Sequence, residues 1–174
     1  MAGPIINRVT NANVYLNGVL SLLGRAEEID LPQPKLVMVE HKGLGLFGKL
    51  KYPAGADVLE AKFKWASFYP EVMSAAFQPF ASTSLMVRAD VMQMGPDGLI
   101  AEVPLVALVT GIFHEMPGGK IVKHENSDNP SSMTVYYYKL MLAGLDQVEL
   151  APALNLYKVN GIDQLAQFNA NQGS

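Results

Sequence analysis

The sequence has 174 residues, a formal net charge of −3 and no cysteine. This excludes disulfides and thiolate metal sites and gives no reason to expect a basic groove for nucleic acid. Charged residues are only 17% of the chain and hydrophobic residues are 49%, which leaves two interpretations open: a monomer with a weakly charged surface, or a subunit covered by other subunits.

The whole chain, residues 1–174, is predicted to form one domain, because no linker, charge block or repeat divides it. The N-terminal residues lack the charged and apolar regions of a signal peptide. The longest apolar run, Val103–Phe113, is too short to span a bilayer. We therefore expect no membrane anchor, and the absence of cysteine suits synthesis in a reducing cytosol.

Short strands and turns are predicted in the first part of the chain. Asn13–Val19 is typical of a strand that enters an Asn-Gly turn, a strong hairpin signal. Pro32 and Pro34 exclude a central strand around them. The run Leu36–Val39 is apolar throughout, which predicts a short buried strand.

A glycine-rich stretch follows, from His41 to Gly55. The string GxGxxG that begins at Gly43 matches the dinucleotide fingerprint by letter. The fingerprint requires a helix that opens inside it and an acidic residue about 20 positions later, and neither is present. We therefore predict a mobile loop at about 41–57, and no cofactor.

The middle of the chain alternates in polarity. Val58–Trp65 has polar and apolar residues in turn and predicts a half-buried strand. Pro70–Phe80 predicts a helix, because proline opens it and Val72, Met73, Ala76, Phe77 and Phe80 form an apolar stripe. Two long strands, Leu85–Met94 and Ile100–Glu115, are joined by a turn at residues 95–98.

Near the C-terminus, Asn126–Ser132 is polar and is predicted to be an exposed loop. The aromatic run from Val135 opens a strand that reaches residue 142, and Gly144 turns the chain into a second strand at 147–150. A further strand is predicted at Leu156–Val159. Asn160 is then expected to cap a helix whose apolar face contains Ile162.

These elements predict a mainly β fold of the α+β kind. We expect an antiparallel β-sandwich or barrel with one flanking α-helix and a short C-terminal helix. No enzyme is predicted, because His41, His114 and His124 are far apart in sequence and Ser131 lies in no glycine elbow. A non-catalytic β-sandwich binding module remains an alternative.

Two C-terminal blocks carry a family resemblance. They are Tyr137-Tyr138-Lys139-Leu140 and the eight residues VNGIDQLA at 159–166. They resemble the ending of the major tail tube protein of contractile-tailed bacteriophages, which R-type pyocin tube proteins share. The N-terminal strand with its Asn-Gly turn and the glycine-rich stretch between strands are also similar to that family. The chain departs from it after residue 166 and in having Lys42, Lys49 and Lys51 close together.

The resemblance implies a tail-tube-like fold and a structural subunit that forms hexameric rings. The rings stack into the inner tube of a contractile tail, the conduit for DNA delivery, in a virion assembled in the host cytoplasm. The implied partners are further copies of the chain, the tail sheath protein, and the baseplate and tail terminator proteins. The tape measure protein and genomic DNA would pass through the lumen. The sequence leaves open a phage tail or a headless bacteriocin or secretion-type injector.

Candidate contact residues follow from these expectations. Inter-subunit or inter-ring contacts are expected at Lys42, Gly43, Gly45, Phe47, Gly48, Tyr52, Ile162 and Leu165. Lumen residues are expected on the polar faces of two strands, at Glu60, Lys62, Lys64, Arg88 and Asp90. We expect the lumen to be polar and on balance negative, because a basic lining would hold DNA phosphates and stall their transit.

Overall fold

A computed structural model describes residues 4–173. They form twelve strands, two α-helices and one 3-10 turn at Pro152–Leu154. The first six strands are β1 Ile6–Leu16, β2 Leu20–Ser21, β3 Ala26–Asp30, β4 Leu36–His41, β5 Leu50–Ala56 and β6 Leu59–Trp65. The others are β7 Thr83–Gly95, β8 Gly98–Glu115, β9 Asn129–Leu142, β10 Leu145–Ala151, β11 Leu156–Val159 and β12 Ile162–Asp163. Helix α1 is Pro70–Ala76, and helix α2 is Ala166–Gln172.

Ten strands form one antiparallel sheet in the order β12-β11-β10-β9-β8-β7-β1-β2, with β6 and β3 as a branch. The branch arises because β9 is long. Its first half pairs with β6, from Trp65 opposite Asn129 to Leu59 opposite Val135, and its second half pairs with β10. Strands β4 and β5 form a separate hairpin. The predicted mainly β, antiparallel fold with a flanking helix and a short C-terminal helix is confirmed.

One hydrophobic core lies on one face of this sheet. The alternation predicted for 58–65 is confirmed, since β6 buries every second residue. Phe63 stacks on Trp65 at 5.8 Å between ring centroids and lies 6.4 Å from the ring of Phe113 in β8. Buried residues of β1, β7, β8, β9, β10 and α1 complete the same cluster. Burial of each large apolar side chain contributes about 1.5–3 kcal/mol, so the core fixes which face of every strand points inward.

Glycine residues lie at two turns and at a point where β8 and β9 approach each other closely. Asn17 and Gly18 both have positive φ, at 51° and 70°, as the predicted Asn-Gly turn requires. The predicted turn between the two long strands is also confirmed, between Gly95 and Gly98. At Gly111, a Cβ would lie 2.0 Å from the carbonyl oxygen of Thr134. Only glycine allows β8 and β9 to approach this closely where their register shifts.

The flanking helix is shorter than predicted. It ends at Ala76, and Phe77 and Phe80 are exposed instead of extending the apolar stripe. Pro79 explains the early end, because proline disfavours the helical conformation of the residue before it. Val72 and Ala76 do pack into the core, as predicted.

The predicted exposed loop at 126–132 is wrong in its second half. Strand β9 begins at Asn129, and Asn129, Ser131 and Ser132 are buried. The reason is tertiary: β6 supplies a ladder partner for this polar segment. The indole N–H of Trp65 also donates a hydrogen bond to Ser131 Oγ at 2.8 Å.

The prediction of a buried strand at Leu36–Val39 is wrong about burial. The strand exists, but its residues are exposed, because it pairs only with β5. The predicted loop at 41–57 is also partly wrong, since Leu50–Ala56 forms β5 and the loop is confined to residues 42–49 and to residue 57 after the strand. Whether that loop is mobile stays a prediction.

The C-terminal helix begins at Ala166, so Asn160 is not its cap. Asn160 and Gly161 have φ of 49° and 79° and form the turn between β11 and β12. A backbone hydrogen bond from Gln164 N to the Tyr157 carbonyl, at 2.8 Å, continues the antiparallel geometry past that turn. Ile162 therefore lies on a short edge strand and not on a helix face.

Candidate assembly interface

The hairpin β4–β5 is the most unusual surface in the described chain. Its ladder runs from Leu36 opposite Ala56 to His41 opposite Leu50, and every residue of both strands is exposed. Extensive contacts within residues 4–173 join the hairpin strands only to each other. Large apolar side chains on it are exposed at Leu36, Val37, Met38, Val39, Leu44, Leu46, Phe47, Leu50 and Tyr52.

The tip of the hairpin, residues 42–49, gathers most of the predicted contact residues. Gly43 accepts a hydrogen bond from Leu46 N at 3.3 Å, and Gly45 has a φ of 83°, so the loop turns tightly. Leu44 and Phe47 are fully exposed, at 107% and 110% of their reference area. Lys42, Gly48 and Lys49 lie in the same loop. Glu40 lies 3.9 Å from Lys42 Nζ and 3.3 Å from Lys49 Nζ, which partly neutralises the basic side of the tip.

Tyr52 is on the strand below the tip. It lies opposite Val39 in the ladder, and its ring meets the ring of His41 edge-on, with 6.0 Å between centroids. An isolated two-stranded hairpin is at best marginally stable in water. A contiguous exposed apolar surface of this kind marks an interaction site. The hairpin therefore has the properties of an arm that packs against another molecule.

An apolar groove of about 680 Å³ lies where the base of the hairpin meets the C-terminal segment. Leu36, Pro53 and Ala56 line it on the hairpin side, and Leu165 and Phe168 line it on the helix side. Leu165 is held in place by its own backbone N–H, which donates to Asp163 Oδ1 at 2.9 Å. The structure thus brings one predicted contact residue, Leu165, beside the hairpin. Ile162 does not line the groove, and its side chain is 68% exposed.

All five predicted lumen residues lie on the sheet face opposite the core. In β6, Leu59, Ala61, Phe63 and Trp65 point inward, so Glu60, Lys62 and Lys64 point outward. In β7, the buried residues Val87, Ala89 and Val91 place Arg88 and Asp90 outward. Side chains that are paired across an antiparallel ladder share a face, and the ladder β6-β9-β8-β7 is continuous. The residues predicted from the alternating patterns of two separate strands therefore lie on one common face of the sheet.

The charges on this outer face are partly compensated. Lys64 Nζ lies 3.4 Å from Glu27 and 3.6 Å from Asp128, and the hydrogen bond to Glu27 raises the lysine pKa. Asp90 Oδ2 accepts a hydrogen bond from Thr10 Oγ1 at 2.6 Å. Half-buried apolar side chains of β7 and β8, such as Met86 and Leu108, lie between the charged ends.

A second polar network lies on the same face of β9, β10 and β11. Lys139 Nζ pairs with Asp146 at 2.8 Å, and Lys158 Nζ lies 3.7 Å from Glu149. The Tyr137 hydroxyl donates to Glu149 Oε1 at 2.9 Å. Burial, followed by this contact with Glu149, raises the pKa of Tyr137 to about 12. The tyrosine run at 136–138 is thus divided among an exposed, a half-buried and a buried ring.

Several exposed apolar residues were missed by the sequence analysis. Leu44 at the tip and Met38 on β4 belong to the same surface as Phe47, and Phe80 is 95% exposed beyond α1. The sequence did contain one signal of this surface: residues 36–39 are all apolar, without the polar residues that alternate along a half-buried strand. A continuous apolar run predicts burial without saying in which molecule the burial occurs.

No cluster of three or more metal-ligating side chains occurs within residues 4–173. Among the described ranges, no helix is both long and apolar enough to cross a membrane. His114 Nδ1 lies 3.1 Å from Thr134 Oγ1, and Ser132 Oγ donates to Glu115 at 2.6 Å, so these polar groups join β8 to β9.

Comparison with known proteins gives two findings. The family model for the phage tail tube protein FII matches residues 6–173. The curated tail tube protein of Escherichia phage P2 is 27% identical over 166 residues, which cover 92% of this chain and 94% of that protein. The match therefore extends over the core, the hairpin and the C-terminal segment.

Proposed function

This chain belongs to the phage tail tube protein family. From that premise we propose that six copies close into a ring. The rings then stack into the inner tube of a contractile tail. The chain is a structural subunit of a phage tail that assembles with copies of itself. DNA would pass through the bore on its way into the host.

The observation that carries this proposal is the exposed hairpin β4–β5. An arm whose apolar residues on both faces lack extensive packing against the rest of residues 4–173 suits a subunit that is complete only in an assembly. We assign it the contact between stacked rings. Its predicted contact residues Lys42, Gly43, Gly45, Phe47 and Gly48 are at the tip, where they would meet a subunit of the next ring, and Tyr52 supports them.

Ring closure would use the open edges of the large sheet. Strand β1 pairs with β7 along its length, but on its other side β2 covers only Tyr15 and Leu16. At the other end of the sheet, β12 is two residues long. Unpaired strand edges invite pairing with another chain, and a head-to-tail contact between different edges closes into a ring when the rotation fits.

The outer sheet face with Glu60, Lys62, Lys64, Arg88 and Asp90 is proposed to line the bore. Glu27 and Asp128 partly neutralise Lys64, which weakens its attraction for DNA phosphates and so supports this placement. The net charge of −3 per subunit, repeated around rings and along a stack, gives an acidic cylinder.

The remaining partners follow from this role. The tail sheath protein would surround the tube, the baseplate and tail terminator proteins would contact its ends, and the tape measure protein would occupy the bore. The same tube would serve a headless injector. Capsid and terminase genes beside this gene would identify a phage.

Electron microscopy of the purified protein tests the proposal. At rising concentration we expect six-fold rings and hollow rods, because stacking depends on mass action. A matched variant replaces residues 40–51 by a two-residue Asn-Gly turn and leaves the large sheet intact. We expect it to form rings without rods. A wild-type protein that stays monomeric at every concentration contradicts the proposal.

A further inference from the structure

We propose that the hairpin tip of one subunit inserts Leu44 and Phe47 into the apolar groove at the hairpin base of the next subunit. This rests on the proposed stacking of subunits and names both halves of the contact. The tip and the groove would then form one repeated junction along the tube.

The tip has the character of an anchor. Leu44 and Phe47 are fully exposed in the single chain, whereas Leu46, the other large apolar side chain of the tip, is about half exposed. Glu40 draws the two nearest cations, Lys42 and Lys49, to the strand side of the loop. A few side chains that fill well-packed pockets in the partner supply most of the energy of protein interfaces.

The groove has the complementary character. Lys35 is the single charged residue among those that line it, and Leu36, Pro53, Leu156, Leu165 and Phe168 give it apolar walls. Its volume of about 680 Å³ is in the range of pockets that accept large apolar groups. Both walls are already adjacent in one subunit, so the groove exists before a partner arrives.

Geometry prevents a tip from filling its own groove. The hairpin ladder begins at the groove, at Leu36 opposite Ala56, and ends at His41 opposite Leu50. Six residues of strand at about 3.3 Å each hold the tip roughly 20 Å from the base while the ladder is intact. A tip that fills this groove therefore comes from another copy.

The contact joins two different surfaces of the same chain. Such a heterologous contact leaves one free tip and one free groove after each addition, so it repeats without limit unless it closes. A stack of rings requires this property along its axis. A tip-to-tip contact would be isologous and would end after one pair.

Disulfide trapping tests the junction, because the natural chain has no cysteine. Gly48→Cys places a thiol beside the anchors without replacing them, and a Cβ at that position meets no atom within 4 Å. Ala54→Cys and Gln164→Cys place thiols on the two walls of the groove. A disulfide forms only when the two Cα atoms are within about 7 Å.

Under mild oxidation, the double variants G48C/A54C and G48C/Q164C are expected to give a ladder of covalent multimers on a non-reducing gel. Each single variant has one thiol and can give at most a dimer. The control G48C/V19C has its second thiol at an exposed residue outside the groove, and we expect no ladder from it.

Rods that form normally while neither groove variant gives a ladder, or while only the Val19 control does, overturn the junction and leave the tube proposal intact. Because failure of the wild type to form rods would instead overturn the tube proposal, the two failures are distinguishable. As a second measurement, Ala56→Trp fills the groove from the hairpin side, and we expect it to abolish rods while rings persist. Normal rods from this variant also count against the junction.

Discussion

The indole N–H of Trp65 donates a 2.8 Å hydrogen bond to Ser131 Oγ inside the core, where both side chains are buried. The bond joins β6 to the first half of β9, at the point where the large sheet branches. It satisfies the one polar atom of the only tryptophan in the chain.

Ser131→Ala is expected to lower the free energy of unfolding by about 1–3 kcal/mol, because the Trp65 N–H would be buried without an acceptor. Urea unfolding followed by the fluorescence of Trp65 measures the change at the altered site. Ser67→Ala, at an exposed serine, is the control and should shift stability by less than about 0.5 kcal/mol. Equal stabilities for both variants would argue against the hydrogen bond.

Tyr137 predicts a dependence on alkaline pH. Burial and then the contact with Glu149 raise its folded pKa from the ordinary value of 10.0 to about 12. The unfolded chain therefore loses this proton first, so the stabilisation is complete below pH 10 and is lost as the pH rises toward 12. Urea midpoints between pH 9 and 12 should fall less steeply for Tyr137→Phe than for the wild type. Tyr136→Phe, at an exposed ring, should follow the wild type.

Replacing both tip residues, Leu44→Ser with Phe47→Ser, is expected to abolish rods and leave the fold unchanged. Fully exposed side chains contribute little to folding, so the free energy of unfolding should stay within about 0.5 kcal/mol of the wild type. Electron microscopy and urea unfolding measure the two effects separately. Ile121→Ser alters an apolar side chain outside the hairpin that is also strongly exposed, and it should form rods normally. A loss of stability in the tip variant would show that the tip packs within its own subunit.

Hydrogen exchange at residues 42–49 is expected to be fast in free subunits and slow in rods. The loop contains Gly43, Gly45 and Gly48, and ordering such residues without a partner is entropically costly. Mass spectrometry of exchanged peptides compares the two states. Peptides from β6, whose backbone is paired with β3 and β9 in the subunit, serve as the internal reference. Equal protection of the loop in both states would contradict a role in ring stacking.

Ile162→Asp is expected to weaken assembly with little effect on folding. The side chain is exposed on β12, so a charge there stays solvated in the free subunit, but it would be buried unpaired if a neighbour covers Ile162. Sedimentation velocity measures the assembled fraction, and urea unfolding measures stability. Gln167→Asp adds the same charge at another exposed position, one that does not line the groove, and should form rods normally. Normal rods from Ile162→Asp would remove this residue from the contact set.

The sequence by itself determined most of the strands. The alternation in 58–65, the Asn-Gly turn at residue 17 and the long strands on either side of residues 95–98 are local patterns, and the structure contains all three. The family resemblance at 137–140 and 159–166 was also readable, and the family match over residues 6–173 confirms it. Each of these features is set by residues that are close together in sequence, so it can be recognised without knowing the fold.

Tertiary structure decided where the apolar and polar segments lie. The run Leu36–Val39 is apolar and exposed because its ladder partner β5 is part of the same projecting hairpin. The polar segment from Asn129 is buried because β6 lies beside it and Trp65 needs an acceptor. Asn160 turns a hairpin and does not cap a helix, because β10 and β11 extend the sheet up to that point. The spacing of apolar residues and their β propensity specify a strand, but the strands that pair with it determine which of its faces meets the core.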